Sequence, residues 1–415
     1  MNSSRRCFFY MNSATLDTIG PKLSGSSLRQ ALVASARQLQ PLLERNASRT
    51  EADRRVVEEN LSAIRSADLL KIAVPRRFGG LETDIRTMVE VSRELGKGCG
   101  STAWVTTISN SASRFLGAGP LEAQNDVWGH GPDAFLFGSV AGMPTVKKVS
   151  DGLVVSGKWT YASGCVHADW GLLVVPLGNE WGEKTGQALG LCRASELVIE
   201  DTWHAAGMKG SGSHTIVAEE VFMPDHRLLS MAAIAGPDRP TPYKDEVLYG
   251  SSLFPSIVIP VLGPLLGMAA RALEYVIERA PAKGIAQTTY QPQSSSIGFQ
   301  ASVGNASMLI ETAQLQAYSA ADIIDEAARD GRVLSAVEQA RLRICAAHAA
   351  ESLVKSVDLL MYAHGSSSFM EQNPLQRIWR DVGMAARHAS LLPAIGAEVY
   401  GRTLLGIEET AVRVH

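Results

Sequence analysis

A chain of 415 residues, 46% hydrophobic and 20% charged, carries enough apolar side chains for two or three packed regions. A formal charge of -3 with no sustained basic block excludes the electrostatic footprint of a nucleic-acid binder. The five cysteines (Cys7, Cys99, Cys165, Cys192, Cys345) have neither CxxC nor His/Cys ligand spacing, which argues against a disulfide framework and a metal centre and fits a reducing cytoplasm.

The start, MNSSRRCFFYMNS, has two arginines but an apolar patch too short for a secretory signal, so residues 1–25 read as a flexible tail. Leu28, Leu32, Ala36, Leu39, Leu42 and Leu43 recur at three and four residue steps, predicting a helix; Thr50 and Asp53 announce a second, with Thr50 as its N-cap. Gly79 and Gly80 break the rhythm, and helices over 84–97 and 101–116 complete an N-terminal helical domain, residues 26–130. Over 131–240, β-branched runs at 146–149, 153–155, 171–175 and 215–218 predict a small antiparallel, barrel-like β domain. Asp151-Gly152 is its expected two-residue hairpin turn, with positive φ.

Helical periodicity returns over 241–415, at 255–278, 297–329 and 334–363, the last opened by Ser335 and Glu338 as a capping box and closed near Gly365. The class is α+β, mostly α, ending in a four-helix bundle. Alanine-rich faces along it suit close helix or subunit contact. The greasiest stretch, 257–270, contains Pro260, Gly263, Pro264 and Gly267 and reads as core, not as a membrane span.

Four motifs carry more than architecture. GCGSTAW (98–104), WTYASGCVHADW (159–170), WHAAGMKGSGSHTIVAEEVFMP (203–224) and NPLQRIWRD (373–381) resemble, in this order, the flavin-dependent monooxygenases of the acyl-CoA dehydrogenase superfamily, and the resemblance spans nearly all of 28–406. It implies the acyl-CoA dehydrogenase fold and the oxygenase component of a two-component system. In such a system a separate NAD(P)H-dependent flavin reductase supplies reduced FMN or FAD (FMNH2 or FADH2). With O2 this gives a flavin C4a-hydroperoxide that hydroxylates an aromatic or heteroaromatic small molecule. A homotetramer is implied as well. Two alternatives stay open: an acyl-CoA dehydrogenase with bound FAD, and an N-oxygenase of an amine or amino sugar.

Such chemistry needs a dry pocket with a few fixed hydrogen bonds. The resemblance places Ser139 and Ser163 along the isoalloxazine, flanked by Trp159 and Tyr161, with Ser163 also catalytic; by themselves both serines read equally well as turn residues. Ser211 and Ser213, in the MKGSGSHT turn, offer hydroxyls and nested N–H groups to ring or phosphate oxygens. Ser366 and Ser367 offer the same to the flavin phosphate.

His388 stands on a loop that in true dehydrogenases often carries a glutamate base, and its imidazole suits proton donation near neutral pH; the plain alternative is a capping histidine. Glu274, Glu278 and Glu398 are the remaining bases a dehydrogenase would use. Trp104, Asn110 and Ser111 are expected on the substrate side. Phenol-hydroxylating relatives carry a histidine two helical turns after that tryptophan, whereas Ala112 fills the slot here. Arg377, Arg380 and Asp381 have the spacing of a structural ion pair, and His167 and Asp169 read as strand-end polar residues.

Overall fold

A computed structural model describes residues 25–178, 184–236 and 238–407, so residues 1–24 of the expected tail, Cys7 included, lie outside the described residues. The helices α1 (Gly25–Ala52), α2 (Glu58–Ser66), α3 (Ile85–Gly98), α4 (Gly100–Gly117) and α5 (Leu121–Trp128) come first. Thr50 is no N-cap: the buried face Leu43, Ala47, Thr50 continues to the end of α1, and α2 starts behind Val57 with no side-chain cap. The first turn of α3 is satisfied twice. Asp84 accepts from Thr87 N at 2.8 Å, and Asp325, far along the chain, accepts from the N–H groups of Ile85 and Arg86 at 2.9 Å each. Unpaired amides at a helix start favour carboxylates, so Asp325 ties the first helical layer to the last.

The middle of the chain forms two sheets. One has the order β1 (Leu136–Ser139), β5 (Trp170–Gly178), β6 (Lys184–Arg193), β9 (Leu228–Ser230); the other has β2 (Ala141–Gly142), β4 (Gly152–Thr160), β8 (Thr215–Pro224), β7 (Val198–Glu200), with β3 (Thr145–Val149) on β4. Contrary to a purely antiparallel expectation, β1 and β5 run parallel, because the chain visits the other sheet between them and so makes a crossover. Phe137, Val155, Val175 and Met223, drawn from both sheets, share one core, giving a two-sheet sandwich where a barrel-like domain was expected. The β3–β4 hairpin is present, but Val149 pairs with Gly152, so Ser150-Asp151 makes the turn without positive φ. Gly152 serves close approach instead, since a Cβ there would strike the Met223 carbonyl of β8.

Helices resume with α6 (Met231–Ala235), α7 (Leu253–Val258), α8 (Leu262–Arg279), α9 (Ile297–Arg329), α10 (Ala336–His364), α11 (Pro374–Ala385) and α12 (Pro393–Leu404). The capping box of α10 is formed at 3.3 and 2.8 Å, and Gly365 closes the helix at φ 79. The expected continuous helix over 255–278 breaks between α7 and α8 at Pro260, which lacks the N–H that the next turn needs. Leu253–Ala282 is long and apolar enough to cross a membrane by length and composition, yet 83% of its most apolar window is buried inside the protein.

Helices α8, α9 and α10 pack together, α12 lies along α10, and α8 also lies against α3. Glycines permit that last approach: a Cβ on Gly263 would sit 2.6 Å from Ser92 Cβ, and one on Gly96 2.6 Å from the Pro264 carbonyl. The α3–α8 pair in turn supports α4, which packs on both. Alanine gains ~1 kcal/mol over glycine in a helix, but at Gly267 its Cβ would strike the Arg93 carbonyl. Gly267→Ala is therefore expected to destabilise the fold by a net ~1–3 kcal/mol; an unchanged or higher denaturant midpoint would contradict this packing.

Candidate active site

Helix α4 is almost wholly buried although its sequence, GSTAWVTTISNSASRFLG, is rich in hydroxyls. Three bond back along the helix: Thr106 Oγ1 donates to Thr102 O (2.9 Å), Thr107 Oγ1 to Ala103 O (2.8 Å) and Ser113 Oγ to Ser109 O (3.1 Å). This is how a polar helix tolerates burial. Ser111 is the exception, its buried Oγ having no partner. Trp104, Ile108, Ser111 and Phe115 share one face by their spacing of four, three and four. Ile108 and Phe115 are the residues of α4 that keep partial exposure, so this stripe marks the least buried side of the helix. Asn110 points elsewhere. Its amide donates to Leu69 O (2.9 Å) and Thr106 O (3.0 Å) and accepts from Ala73 N (3.3 Å), a structural pin in place of the expected substrate contact.

Two turns of the β domain face Trp104. The loop after β4 holds Tyr161 at φ 58 and Gly164 at φ 81; the loop before β8 holds Met208 at φ 52 and Gly212 at φ 53. Backbone bonds lace them together, from Ala162 N to His214 O (3.2 Å) and from Gly164 N to Ser211 O (2.9 Å). A chain of side chains results. Trp104 Nε1 donates to Ser163 Oγ (3.1 Å), Ser163 and Ser213 hydroxyls lie 2.7 Å apart, Ser213 and Ser211 2.7 Å apart, and Ser211 Oγ donates to Met208 O (2.7 Å). An indole N–H only donates and a carbonyl only accepts. The proton order is thereby fixed: Ser163 donates to Ser213, and Ser213 to Ser211. Ser163 Oγ is left with one free lone pair and faces the site as an acceptor.

Glycines let the second loop approach the helices. A Cβ on Gly207 would strike the Arg380 carbonyl of α11, and one on Gly210 the Thr50 side chain of α1. Met208 N donates to Asp381 Oδ1 at 2.5 Å. The motif's arginines do not pair with this aspartate: Arg380 bonds Glu51 at 2.6 Å and Arg377 Nη1 donates to Ser48 Oγ at 2.9 Å. The motif thus clamps α1 with its arginines and the β-domain turn with Asp381. This role of Asp381 was missed in the sequence, where the signal was a carboxylate on the face that Leu375, Val382 and Ala385 bury.

His388 follows α11. Its ring meets Trp104 edge-on at 5.8 Å between centroids, and Nδ1 accepts from Ser390 N at 3.4 Å. Burial lowers its pKa below the ordinary 6.5, so at neutral pH the imidazole is uncharged, with Nδ1 the acceptor and Nε2–H left to donate. The candidate dehydrogenase bases are engaged elsewhere: Glu274 pairs with Lys97, Glu278 with Arg271 and Glu398 with Arg402, all on the surface.

The remaining expected residues divide. Ser139 Oγ donates to Thr160 O at 2.7 Å, and Tyr161, 62% exposed, meets Trp203 edge-on at 5.9 Å; both border the hydroxyl chain through neighbouring backbone. Trp159 is a correction. It is fully buried in the sandwich core, its indole spent on Val174 O at 2.8 Å, because its strand position points inward. Ser366 is exposed, and Ser367 Oγ accepts from Lys283 Nζ at 2.7 Å in a separate open cleft also lined by Arg279 and Asn373.

Burial pushes the Asp381 carboxyl up from the usual 3.8 to about 6, so its ionisation opposes folding increasingly as pH rises through that window. Asp381→Asn keeps an acceptor for Met208 N and is expected to be no less stable than the wild type above pH 6. Asp381→Ala leaves that amide unpaired and is expected to lose ~1–3 kcal/mol. Equal denaturation midpoints for the two variants would contradict the clamp.

The chain is similar to known proteins over most of its length. Family models described as "Acyl-CoA dehydrogenase, N-terminal domain" and "Acyl-CoA dehydrogenase, C-terminal domain" match residues 28–127 and 261–393. The FADH(2)-dependent resorcinol hydroxylase, oxygenase component, of Rhizobium sp. (strain MTP-10005) is 31% identical over 398 residues, which span 91% of this chain and 94% of that one. XiaF from Streptomyces sp., solved in complex with FADH2 and glycerol, superposes with a TM-score of 0.88 at 34% identity, covering 93% of this chain and 97% of its own. The HsaA monooxygenase from M. tuberculosis gives 0.86 at 27% identity, covering 91% and 98%. The chain belongs to the acyl-CoA dehydrogenase superfamily and, within it, to the flavin-dependent monooxygenases that act as the oxygenase component of two-component systems.

Proposed function

We propose that this enzyme takes reduced FMN or FAD from a separate NAD(P)H-dependent flavin reductase and, with O2, hydroxylates an aromatic or heteroaromatic small molecule in the cleft beside α4. The observation that carries the reading is the proton order of the hydroxyl chain. Reduced flavin bears a hydrogen on N5 and oxidised flavin a lone pair. An acceptor at Ser163 therefore favours the reduced ring, and the hydroxyls of Ser211 and Ser213 hold that acceptor in place. Bound reduced flavin supplies the electrons and, after reaction with O2, the electrophilic oxygen atom.

The protein's own part is positioning, exclusion of water and one proton. Trp104 and Ser163 fix the ring edge, with Ser139 and Tyr161 beside it. The neutral His388 donates Nε2–H toward the reacting oxygen. Trp104 and Ser111 border the substrate, and Ala112 leaves no histidine to activate a phenol there, which favours an electron-rich ring that needs no such help, such as an indole. Ser366 and Ser367, with Lys283 and Arg279 beside them, fit the flavin phosphate. The same reading puts a homotetramer in the cytoplasm.

Mixing the protein with chemically reduced FMN or FAD in aerated buffer and a panel of phenols and indoles is expected to yield hydroxylated product beyond that of free flavin. Anaerobic reduction of bound FAD by an acyl-CoA, with no hydroxylation, would overturn the reading in favour of a dehydrogenase. His388→Asn is expected to lower product by about 10²-fold and divert the oxygen into hydrogen peroxide. Protonation of His388 as pH falls below 6.5 turns Nδ1 from the acceptor of Ser390 N into a donor facing it, which releases the ring from its fixed orientation, so the wild-type product yield drops on the acid side. That limb disappears in the variant; a limb that persists assigns it to another group.

A further inference from the structure

The carbonyl on which the hydroxyl chain ends is held by a second side chain. Trp203 Nε1 donates to Met208 O at 3.0 Å, and the edge-on contact of the same indole with Tyr161 reaches the other turn of the site. Trp203 thus touches both turns, and its own placement matters for the geometry of Ser163. It lies in residues 201–205, which form neither helix nor strand. Backbone N–H groups of such a stretch, once buried, must find acceptors outside the regular ladders.

One side chain supplies them. His214 Nδ1 accepts from Thr202 N and from Trp203 N, at 3.3 Å each. The ring is 7% exposed and belongs to the residue next to Ser213, whose hydroxyl is in the chain; its main-chain carbonyl accepts from Ala162 N of the first turn at 3.2 Å. Main chain and ring of one residue therefore fasten both the Ser163 turn and the stretch that carries Trp203. An imidazole nitrogen can accept only while it carries no proton, so the arrangement requires the neutral ring with its hydrogen on Nε2.

The charges around the ring make that requirement a switch. Asp201 Oδ1 lies 3.5 Å from Nδ1, and Asp201 is itself held by Arg54 at 2.5 and 2.8 Å, with His204 beside the pair. The Glu200 carboxylate is engaged by Lys158 at 2.5 Å. Burial lowers the His214 pKa below the ordinary 6.5, Arg54 and His204 act in the same direction, and Asp201 and the Glu200 backbone oppose them. The ring is therefore neutral at neutral pH. A proton arriving at Nδ1 meets two N–H groups it repels and one carboxylate that attracts it, so the cation turns from the amides toward Asp201.

We propose that His214 is a positioning residue for the capture of reduced flavin: its neutral ring, by accepting from both amides, holds Trp203 against the Met208 carbonyl, and protonation of the ring releases them. The inference rests on the monooxygenase reading and adds to it a residue that acts through Trp203 and touches neither flavin nor substrate. It separates two histidines by what each controls. His214 governs how tightly the flavin is held; His388 governs how much product each bound flavin yields.

The test is anaerobic titration of the full chain with chemically reduced FMN and FAD at a series of pH values on either side of 6.5. Wild-type affinity is expected to fall about tenfold as His214 takes up its proton, the equivalent of about one lost hydrogen bond. In His214→Asn the amide oxygen stands in for Nδ1 and does not titrate, so affinity at neutral pH is expected within about threefold of wild type and that acid loss is absent. His214→Phe keeps a ring but no acceptor and is expected to bind about tenfold more weakly at neutral pH; should it fail to fold, the wild-type and His214→Asn profiles decide alone. An acid loss that persists in His214→Asn, or a folded His214→Phe that binds as tightly as wild type, overturns the inference. Failure of the wild type to bind either reduced flavin at any pH sinks the monooxygenase reading itself, whereas binding with indistinguishable profiles sinks only the role of His214.

Discussion

The site depends on a constraint of direction. A row of serines is ordinarily ambiguous, since each hydroxyl can give or take a proton. This row is capped at one end by an indole that can only give and at the other by a carbonyl that can only take, so every hydroxyl between them has its role assigned. Ser163, a residue of no distinction by type, becomes a fixed acceptor because Trp104 and Met208 leave it no other choice. Preorganised polarity of this kind needs no rearrangement when a ligand arrives.

Everything else in the architecture holds the ends of that row. Trp104 belongs to α4, which rests on the glycine-mediated contact of α3 with α8, and Asp325 anchors the start of α3 to the bundle. Met208 is held from the other side, by Asp381 on α11, and the same helix leads to His388, whose ring returns to Trp104. The site is therefore closed by a loop of contacts through three regions of the chain. Trp104, Ser163 and His388 are thus held together by contacts among α4, α11 and the two β-domain turns.

The long-period features of the fold were legible in the sequence: α9 has its expected bounds, and the α10 capping box and closing glycine are where Ser335, Glu338 and Gly365 announce them. What was misread depended on contacts distant in sequence. Thr50 looks like a cap, but the apolar face of α1 continues past it; Asp151-Gly152 looks like a positive-φ turn, but Gly152 answers to β8. The motifs led to Trp104, Ser163, Ser211, Ser213 and His388, which the fold gathers, because local turns and helix faces place them. They misled at Trp159 and Asn110, where the choice of inward or outward face is made by packing. Asp381 carried a signal of another kind, a charge among residues that must be buried, whose meaning appears only once its partner, Met208 N, is in place.

The most direct test of the central claim is the crystal structure of this protein with reduced flavin bound. The account predicts the ring edge beside Trp104, with N5 within hydrogen-bond distance of Ser163 Oγ and the His388 imidazole over the reacting face. A ring seated away from Ser163, or a glutamate projecting over it in place of His388, would contradict the account.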